Sequence, residues 1–424
     1  MATLEGRPHG QIGELGLTSD PIPKLVRHLA VPASVGFFFN TMYNVVDTYF
    51  AGRVSTEALA ALSLSFPIFF SIIAMGVGIS QGSTALIANA LGAENTKAAR
   101  CYTVQAIGFG CLFSLLLTGL GLAIAPFLFR LLGASENYLA ISLAYMNMIL
   151  LGTLFFLLQS ILNASLNAQG DTRSYRNVLI AGFLLNLVLD PWFLYGGLGL
   201  PAMGIRGIAL ATVVIQIFGS VYLGLRLHRT PLVRGLCWRD FRPDLKAYRD
   251  IAGQGLPASF NMLTVALGIF VITYFISRFS TEGVAAYGIA TRIEQIVLMP
   301  TIGLNIAVLS IVGQNYGAGR LDRVRKAWSL SMKYGLWMMS VGGLFMFVLA
   351  RRMMSWFTGD SYVIQIGTEY LHIAAFILAA YPVLYQTIFM LQGLKRPMFG
   401  LWIGIYRQIV GPGIVFYLLA FALV

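Results

Sequence analysis

Long apolar stretches follow one another along the chain, separated by short polar segments. Eleven are long enough to cross the roughly 30 Å hydrocarbon core of a bilayer as helices. They lie at 25–50, 59–88, 102–130, 138–166, 177–196, 207–228, 248–279, 284–313, 325–350, 362–392 and 398–424. Apolar residues are continuous rather than alternating with a period of two, which excludes a membrane β-barrel. Because eleven is an odd number, the pattern predicts that a twelfth helix is missing.

Composition supports a membrane protein rather than several soluble domains. Of 424 residues, 57% are hydrophobic and only 11% are charged. A soluble chain carries about 25% charged residues, because its surface must be hydrated. The three cysteines show no metal-binding or disulfide spacing. The chain contains no P-loop, zinc pattern or nucleophile elbow, so direct ATP drive and the common enzyme classes lack sequence support.

The net charge of +12 is explained by membrane orientation. If the chain starts inside, six of its 29 Lys and Arg residues fall outside and two lie deep within spans, while the rest lie at the inner side. This distribution follows the positive-inside rule and leaves no reason to expect nucleic acid as a partner. Residues 1–23 lack the apolar core of a signal peptide, so we expect a cytoplasmic N-terminus.

The two halves of the chain repeat each other at an offset of 225 residues. The tripeptide at 32–34 (PAS) recurs at 257–259, and that at 48–50 (TYF) recurs at 273–275. Because six helices separate the copies, both halves have the same orientation in the membrane. Parallel repeats of this kind form two lobes across a central cleft and are typical of alternating-access transporters, although channels also contain repeats.

The predicted fold is therefore an all-α polytopic membrane protein with two six-helix lobes around a central cleft. We expect a cytoplasmic tail at 1–23, an N-lobe at 24–228, a basic cytoplasmic linker at 229–247 and a C-lobe at 248–424. The C-lobe would then hold only five of its six helices.

Four of the seventeen acidic residues lie well inside predicted spans. They are Asp47, Asp190, Glu294 and Glu369. An ionisable group near the centre of a bilayer costs about 2.5–3.5 kcal/mol on insertion scales, so each is a candidate functional residue.

Counting residues along each helix places Asp47 and Asp190 in the outer half of the membrane. Asn186 lies one turn from Asp190 on the same helix face, and Thr212 and Tyr145 reach the same depth. Two carboxylates in a poorly hydrated cavity repel each other, so one of them should take up a proton. Alternatively, these oxygens could coordinate Na⁺, or Asp47 could simply cap a helix end.

The second half carries a different set of polar residues. Glu294, Arg292 and Arg407 lie near the middle of their spans, and Glu369 and His372 share a helix face by the i, i+3 relation. We expect these residues to line a cavity that binds cationic substrates. The alternative is internal pairing, for instance of Glu294 with Arg407.

Several motifs resemble those of a known transporter family. They are Pro32 and residues 43–47 (YNVVD), 167–172 (NAQGDT), 186–191 (NLVLDP) and 313–318 (GQNYGA). Over essentially its whole length the chain resembles the multidrug and toxic compound extrusion (MATE) family. It is most similar to the bacterial DNA-damage-inducible, DinF-like branch.

The resemblance implies a cation-coupled antiporter of the bacterial inner membrane that exports amphipathic, often cationic drugs. It also implies a cation site in the N-lobe, formed by Asp47, Asn186, Asp190, Thr212, Tyr145 and Asn163. The other bacterial branch carries an acid after a Gly-Leu-Pro motif. Here residues 255–257 are followed by Asn261, Thr264 and Val265, which favours coupling through the N-lobe.

We therefore expect a secondary transporter rather than an enzyme, with no cofactor and with H⁺ favoured over Na⁺ as the coupling ion. Its expected partners are small-molecule drugs and the lipid bilayer, and we expect a monomer. The alternative within the same superfamily is a flippase of lipid-linked oligosaccharides. A flippase would favour a cleft with several cationic residues, whereas the spans contain only Arg292 and Arg407.

Overall fold

The computed structural model describes residues 16–54, 56–131, 136–197, 199–234, 236 and 238–419. Most of the predicted tail, residues 1–15, lies outside the described residues, as does Cys237. The helices are α1 (Ile22–Val54), α2 (Thr56–Gly92), α3 (Thr96–Leu131), α4 (Glu136–Ala168), α5 (Arg173–Tyr195), α6 (Ile205–His228), α7 (Leu245–Ile276), α8 (Thr281–Gly317), α9 (Leu321–Ser355), α10 (Ser361–Ile377), α11 (Ala380–Gly393), α12 (Met398–Ile405) and α13 (Gly411–Tyr417).

The predicted spans are confirmed with one change. Within the described residues, ten helical segments are long and apolar enough to cross a membrane, counting Met398–Tyr417 as one, and α10 with α11 forms an eleventh. The expected single helix at 362–392 is wrong, because α10 and α11 meet at an angle of 53°. Pro382, which lacks a backbone N–H, lies in the first turn of α11. The segment Tyr406–Val410 between α12 and α13 is a π-helix.

The repeat extends through both halves of the structure. Helix α2 begins at Thr56 and α8 at Thr281, and each contains 37 residues. Helices α3 and α9, α4 and α10, and α5 and α12 also begin 225 residues apart. The lobes therefore share one helical plan, with a break in α10–α11 where α4 is continuous.

The lobes meet closely at one end of the bundle, which we call the closed end. It contains the starts of α1 and α7 and the ends of α2 and α8. Glycines permit this approach: a Cβ on Gly82 would lie 2.6 Å from the Gly255 nitrogen, and one on Gly255 would lie 2.8 Å from the Ile79 Cα. Such small residues allow helix backbones to pack closely within a membrane. The Ser34 hydroxyl also donates to the Pro300 carbonyl across the lobes at 3.2 Å.

Towards the other end, the open end, the same four helices expose large apolar side chains. Val45 of α1, Phe66 of α2, Phe270 of α7 and Ile296 of α8 are all more than half exposed. The close contacts between the lobes given above lie towards the closed end, which places the cleft between them towards the open end. With the N-terminus in the cytoplasm, as the charge distribution predicts, this cleft opens to the outside.

Candidate functional site

Four helices of the N-lobe bring six polar side chains together in the half nearer the open end. They are Tyr43 and Asp47 of α1, Tyr145 of α4, Asn186 and Asp190 of α5, and Thr212 of α6. The Asn186 amide donates to Asp47 Oδ1 at 2.8 Å. The Asp190 carboxylate lies beside both of these groups and is 0% exposed. We call this set the N-lobe polar cluster.

Helix periodicity explains how the cluster assembles. Asn186 and Asp190 are one turn apart on α5, as are Tyr43 and Asp47 on α1, so each pair projects from one face. The Thr212 hydroxyl donates back to the Ile208 carbonyl at 3.0 Å and lies beside the Tyr43 hydroxyl. The helices thus supply two carboxylates, one amide and three hydroxyls to a single volume.

Several atoms of the N-lobe polar cluster are buried without a hydrogen-bond partner among the described residues. They are both carboxylate oxygens of Asp190, the amide oxygen of Asn186 and the hydroxyl of Tyr43. An ionised carboxylate buried in this way has no cation to pair with in the cluster, which is energetically costly. Asp190 is therefore suited to bind a proton or a small cation.

Apolar packing keeps the N-lobe polar cluster away from bulk water. Tyr145 belongs to the N-lobe core, together with Ile149 and Ile208. On the other side, Leu189, Phe193 and other residues of α5 and α6 pack against Tyr43. Within this apolar shell, electrostatic interactions between the carboxylates are weakly screened.

Asn163 is placed differently from the other residues of the predicted cation site. It lies 18 residues beyond Tyr145 on α4, about 27 Å along the helix towards the closed end. Its Oδ1 is buried without a hydrogen-bond partner in the described structure, but apart from the two carboxylates. The structure therefore gathers five of the six predicted residues and leaves Asn163 outside.

The C-lobe contains a second polar cluster, which we call the C-lobe aromatic cluster. The Tyr370 hydroxyl donates to Glu294 Oε2 at 3.0 Å, and Glu294 is buried, with 7% exposure. The guanidinium of Arg407 lies over the stacked rings of Tyr381 and Tyr385, at 5.3 and 5.8 Å from their centroids. The alternative of a Glu294–Arg407 ion pair is wrong, because each residue contacts tyrosines instead.

The remaining residues of the predicted substrate cavity do not converge on Glu294. Arg292 is exposed on α8, and Glu369 is exposed and accepts a hydrogen bond from Gln365 at 3.2 Å. The His372 ring packs on Phe347 of α9, with centroids 4.3 Å apart. Successive residues of a helix are rotated by about 100° around its axis. Because Tyr370 faces Glu294, the neighbouring Glu369 and His372 of α10 point in other directions.

The sequence reasoning included Tyr145 but missed Tyr43 and the tyrosines of the C-lobe aromatic cluster. Tyr43 precedes Asp47 by one helical turn, so the i, i+4 relation would have identified it. Tyr370 lies 225 residues after Tyr145, so the repeat places a tyrosine beside a buried acid in each lobe. No sequence signal indicated that Tyr381 and Tyr385 would stack beneath Arg407.

Comparison with known proteins gives consistent results for both halves of the chain. The MatE family model matches residues 32–192 and 257–421. A FAD transporter of Shewanella oneidensis is 27% identical over 93% of this chain and 87% of its own length. The probable multidrug resistance protein YoeA of Bacillus subtilis is 28% identical over 81% of this chain and 75% of its own length.

Solved structures show the same architecture. An outward-facing multidrug resistance MATE family transporter superposes with a TM-score of 0.88 at 26% identity, covering 96% of this chain and 90% of that one. A transporter from Pyrococcus furiosus, described by the reversed polarity of its binding pocket, superposes with the same TM-score at 25% identity and the same coverage.

Proposed function

The chain belongs to the MatE family of membrane transporters, and from this we propose that it exports amphipathic, often cationic drugs in exchange for protons. Relatives named as multidrug resistance proteins support drug export. The cleft between the lobes supports alternating access, in which the lobes rock to expose the cleft to one side at a time. Na⁺ is the alternative coupling ion.

The observation that carries the proposed coupling is the burial of Asp190 without a hydrogen-bond partner among the residues that the structure describes. Asp190 lies next to Asp47 and is enclosed by apolar side chains. In the proposed cycle, a proton from the open side binds one carboxylate of this pair, which lowers its negative charge by one unit, and substrate leaves. Closure of the open end follows, and release of the proton to the cytoplasm restores the negative charge. The restored charge then favours rebinding of a cationic substrate.

The geometry favours H⁺ over Na⁺. One oxygen of Asp47 already accepts the Asn186 amide hydrogen at 2.8 Å, so this oxygen has fewer lone pairs available to coordinate a metal ion. A proton needs only one carboxylate oxygen and a nearby acceptor, and the free amide oxygen of Asn186 supplies that acceptor.

The C-lobe aromatic cluster is the proposed substrate contact. The stacked rings of Tyr381 and Tyr385 offer a flat surface, and Glu294 offers negative charge. This combination suits a planar aromatic cation. The position of Arg407 over the same rings favours a second candidate substrate, a planar aromatic anion. The name of the Shewanella oneidensis relative, a FAD transporter, agrees with that second candidate.

Transport by the purified protein in vesicles tests these proposals. We expect a pH gradient alone to drive accumulation of a cationic dye, and a Na⁺ gradient alone to drive none. Dye accumulation that depends on a Na⁺ gradient would show that Na⁺, rather than H⁺, is the coupling ion. Accumulation of a flavin nucleotide but not of the dye would favour the anionic substrate class. Dye that equilibrates across the membrane but never accumulates against its own gradient would indicate a channel instead.

A further inference from the structure

A basic groove lies at the seam between the lobes at the closed end. The start of α1 and the first four turns of α9 border this open groove, which has a volume of about 580 Å³. Its basic lining consists of Arg323, Arg325, Lys326 and Lys333, and its apolar lining includes Ile22 and Leu330. We propose that this seam groove binds the headgroup of an anionic phospholipid from the leaflet at the closed end.

The charges of the seam groove are available to a ligand. Arg325, Lys326 and Lys333 are all exposed, and none forms an ion pair within the described part of the chain. Arg323, which also lines the groove, is already engaged: it donates to Asn315 Oδ1 at 2.8 Å and to the Asp20 carbonyl at 2.7 Å. The side chain of Arg323 is therefore held in place by these hydrogen bonds, while the other three cations remain available to bind a phosphate.

The position of the groove along α9 matches the edge of the membrane. Lys333 and Arg352 are 19 residues apart, about 28 Å along the helix, close to the hydrocarbon thickness of about 30 Å. Trp337 and Leu344, which lie between them, are 69% and 66% exposed. Lys333 thus lies at the boundary where basic side chains reach the headgroups and aromatic side chains are enriched.

The chemistry of the lining distinguishes a phospholipid from a free anion. The three cations and the Ser329 side chain face the same volume as the apolar Ile22 and Leu330. A phosphate with attached glycerol and acyl chains satisfies both kinds of surface, whereas inorganic phosphate satisfies only the charges. Basic pockets between membrane helices on the cytoplasmic side are known to bind lipid headgroups in this manner.

Binding at this seam would also favour one conformation. The first half of α1 packs against α8 and α9, in a cluster that includes Leu25, Leu29, Val308 and Val324. A lipid held between Ile22 of α1 and the cations of α9 contacts both lobes where they are closed. We therefore expect the lipid to stabilise the conformation with a closed cytoplasmic end.

Native mass spectrometry of the full chain from bilayers containing phosphatidylglycerol and phosphatidylcholine tests the proposal. Wild type should retain one phosphatidylglycerol. Each lysine near the membrane surface contributes about 1 kcal/mol, or about fivefold in affinity. Lys326→Gln/Lys333→Gln should therefore bind the lipid about thirtyfold more weakly. The matched control, Arg351→Gln/Arg352→Gln, removes the same charge from the other end of α9 and should bind like wild type.

Three outcomes would overturn the proposal. Equal losses in the two variants would show general surface attraction. Full competition by millimolar inorganic phosphate would show a site for free anions. Unchanged retention in the lysine variant would show that the groove is not the site. Thermal unfolding in pure phosphatidylcholine, where the two variants should agree, separates lost binding from lost folding. None of these readouts depends on the proposed drug transport.

Discussion

Replacement of Asp47 by Asn tests the coupling proposal most directly. The substitution preserves the shape of the side chain and an acceptor for the Asn186 amide, which now donates to Asp47 at 2.8 Å. A buried hydrogen bond to a charged group is worth about 1.5–3 kcal/mol and a neutral one about 0.5–1.5 kcal/mol. The weaker bond therefore costs about 1 kcal/mol, partly offset because a buried charge is removed. We expect the variant to fold and to reach the membrane.

The effect on coupling should be much larger than the effect on stability. One pH unit across the membrane stores about 1.4 kcal/mol per proton, enough for about a tenfold substrate gradient at one-to-one exchange. Wild type in vesicles should approach this gradient with a cationic dye, whereas Asp47→Asn should build none. The control Asp322→Asn makes the same chemical change at an exposed position of α9 and should behave as wild type. A tenfold gradient built by Asp47→Asn would refute the role of Asp47.

Three further substitutions probe other parts of the structure. Tyr43→Phe removes a buried hydroxyl that has no hydrogen-bond partner within the described structure, so dye accumulation should slow about fivefold at unchanged thermal stability; an unchanged rate would exclude a role in coupling. Arg407→Gln should reduce transport of a flavin nucleotide more than that of a cationic dye, measured in the same vesicles; equal effects would argue against direct anion contact. Gly92→Ala places a methyl group against the Gln314 carbonyl of the other lobe. Because this clash should push the lobes apart, cysteines at the closed end should be labelled more by a water-soluble reagent. The control Gly119→Ala, with open space around it, should leave the labelling unchanged.

The spans and the repeat could be predicted from sequence because each depends on local pattern alone. A run of about twenty apolar residues is sufficient to identify a span. The break between α10 and α11 was not predictable by this criterion, because Leu378 and Ala379 are as apolar as their neighbours. Pro382 gave the only hint, and proline is tolerated in many membrane helices. The π-helix at Tyr406–Val410 likewise has no sequence signature.

The candidate sites show a similar division. Asp47, Asn186 and Asp190 could be grouped from the depth of each residue along its helix and the i, i+4 relation. Depth alone does not give the direction in which a side chain points around the helix axis. For that reason depth alone leaves a Glu294–Arg407 pair open as an alternative to a substrate cavity, although each residue contacts tyrosines instead. The direction depends on how helices pack, which requires the structure.

The two lobes use one helical plan for different chemistry. Phe69 and Phe156 of the N-lobe pack with ring centroids 5.7 Å apart, and the residues 225 positions later are Glu294 and Tyr381, which face each other. An apolar contact in one lobe is therefore a polar contact in the other. The helix break at 378–379 and the π-helix around Arg407 lie beside this polar contact, and irregular helix geometry is frequent at functional sites. The polar contact of the C-lobe therefore fits the proposed substrate site, and the two acids of the N-lobe fit the proposed site of the coupling ion.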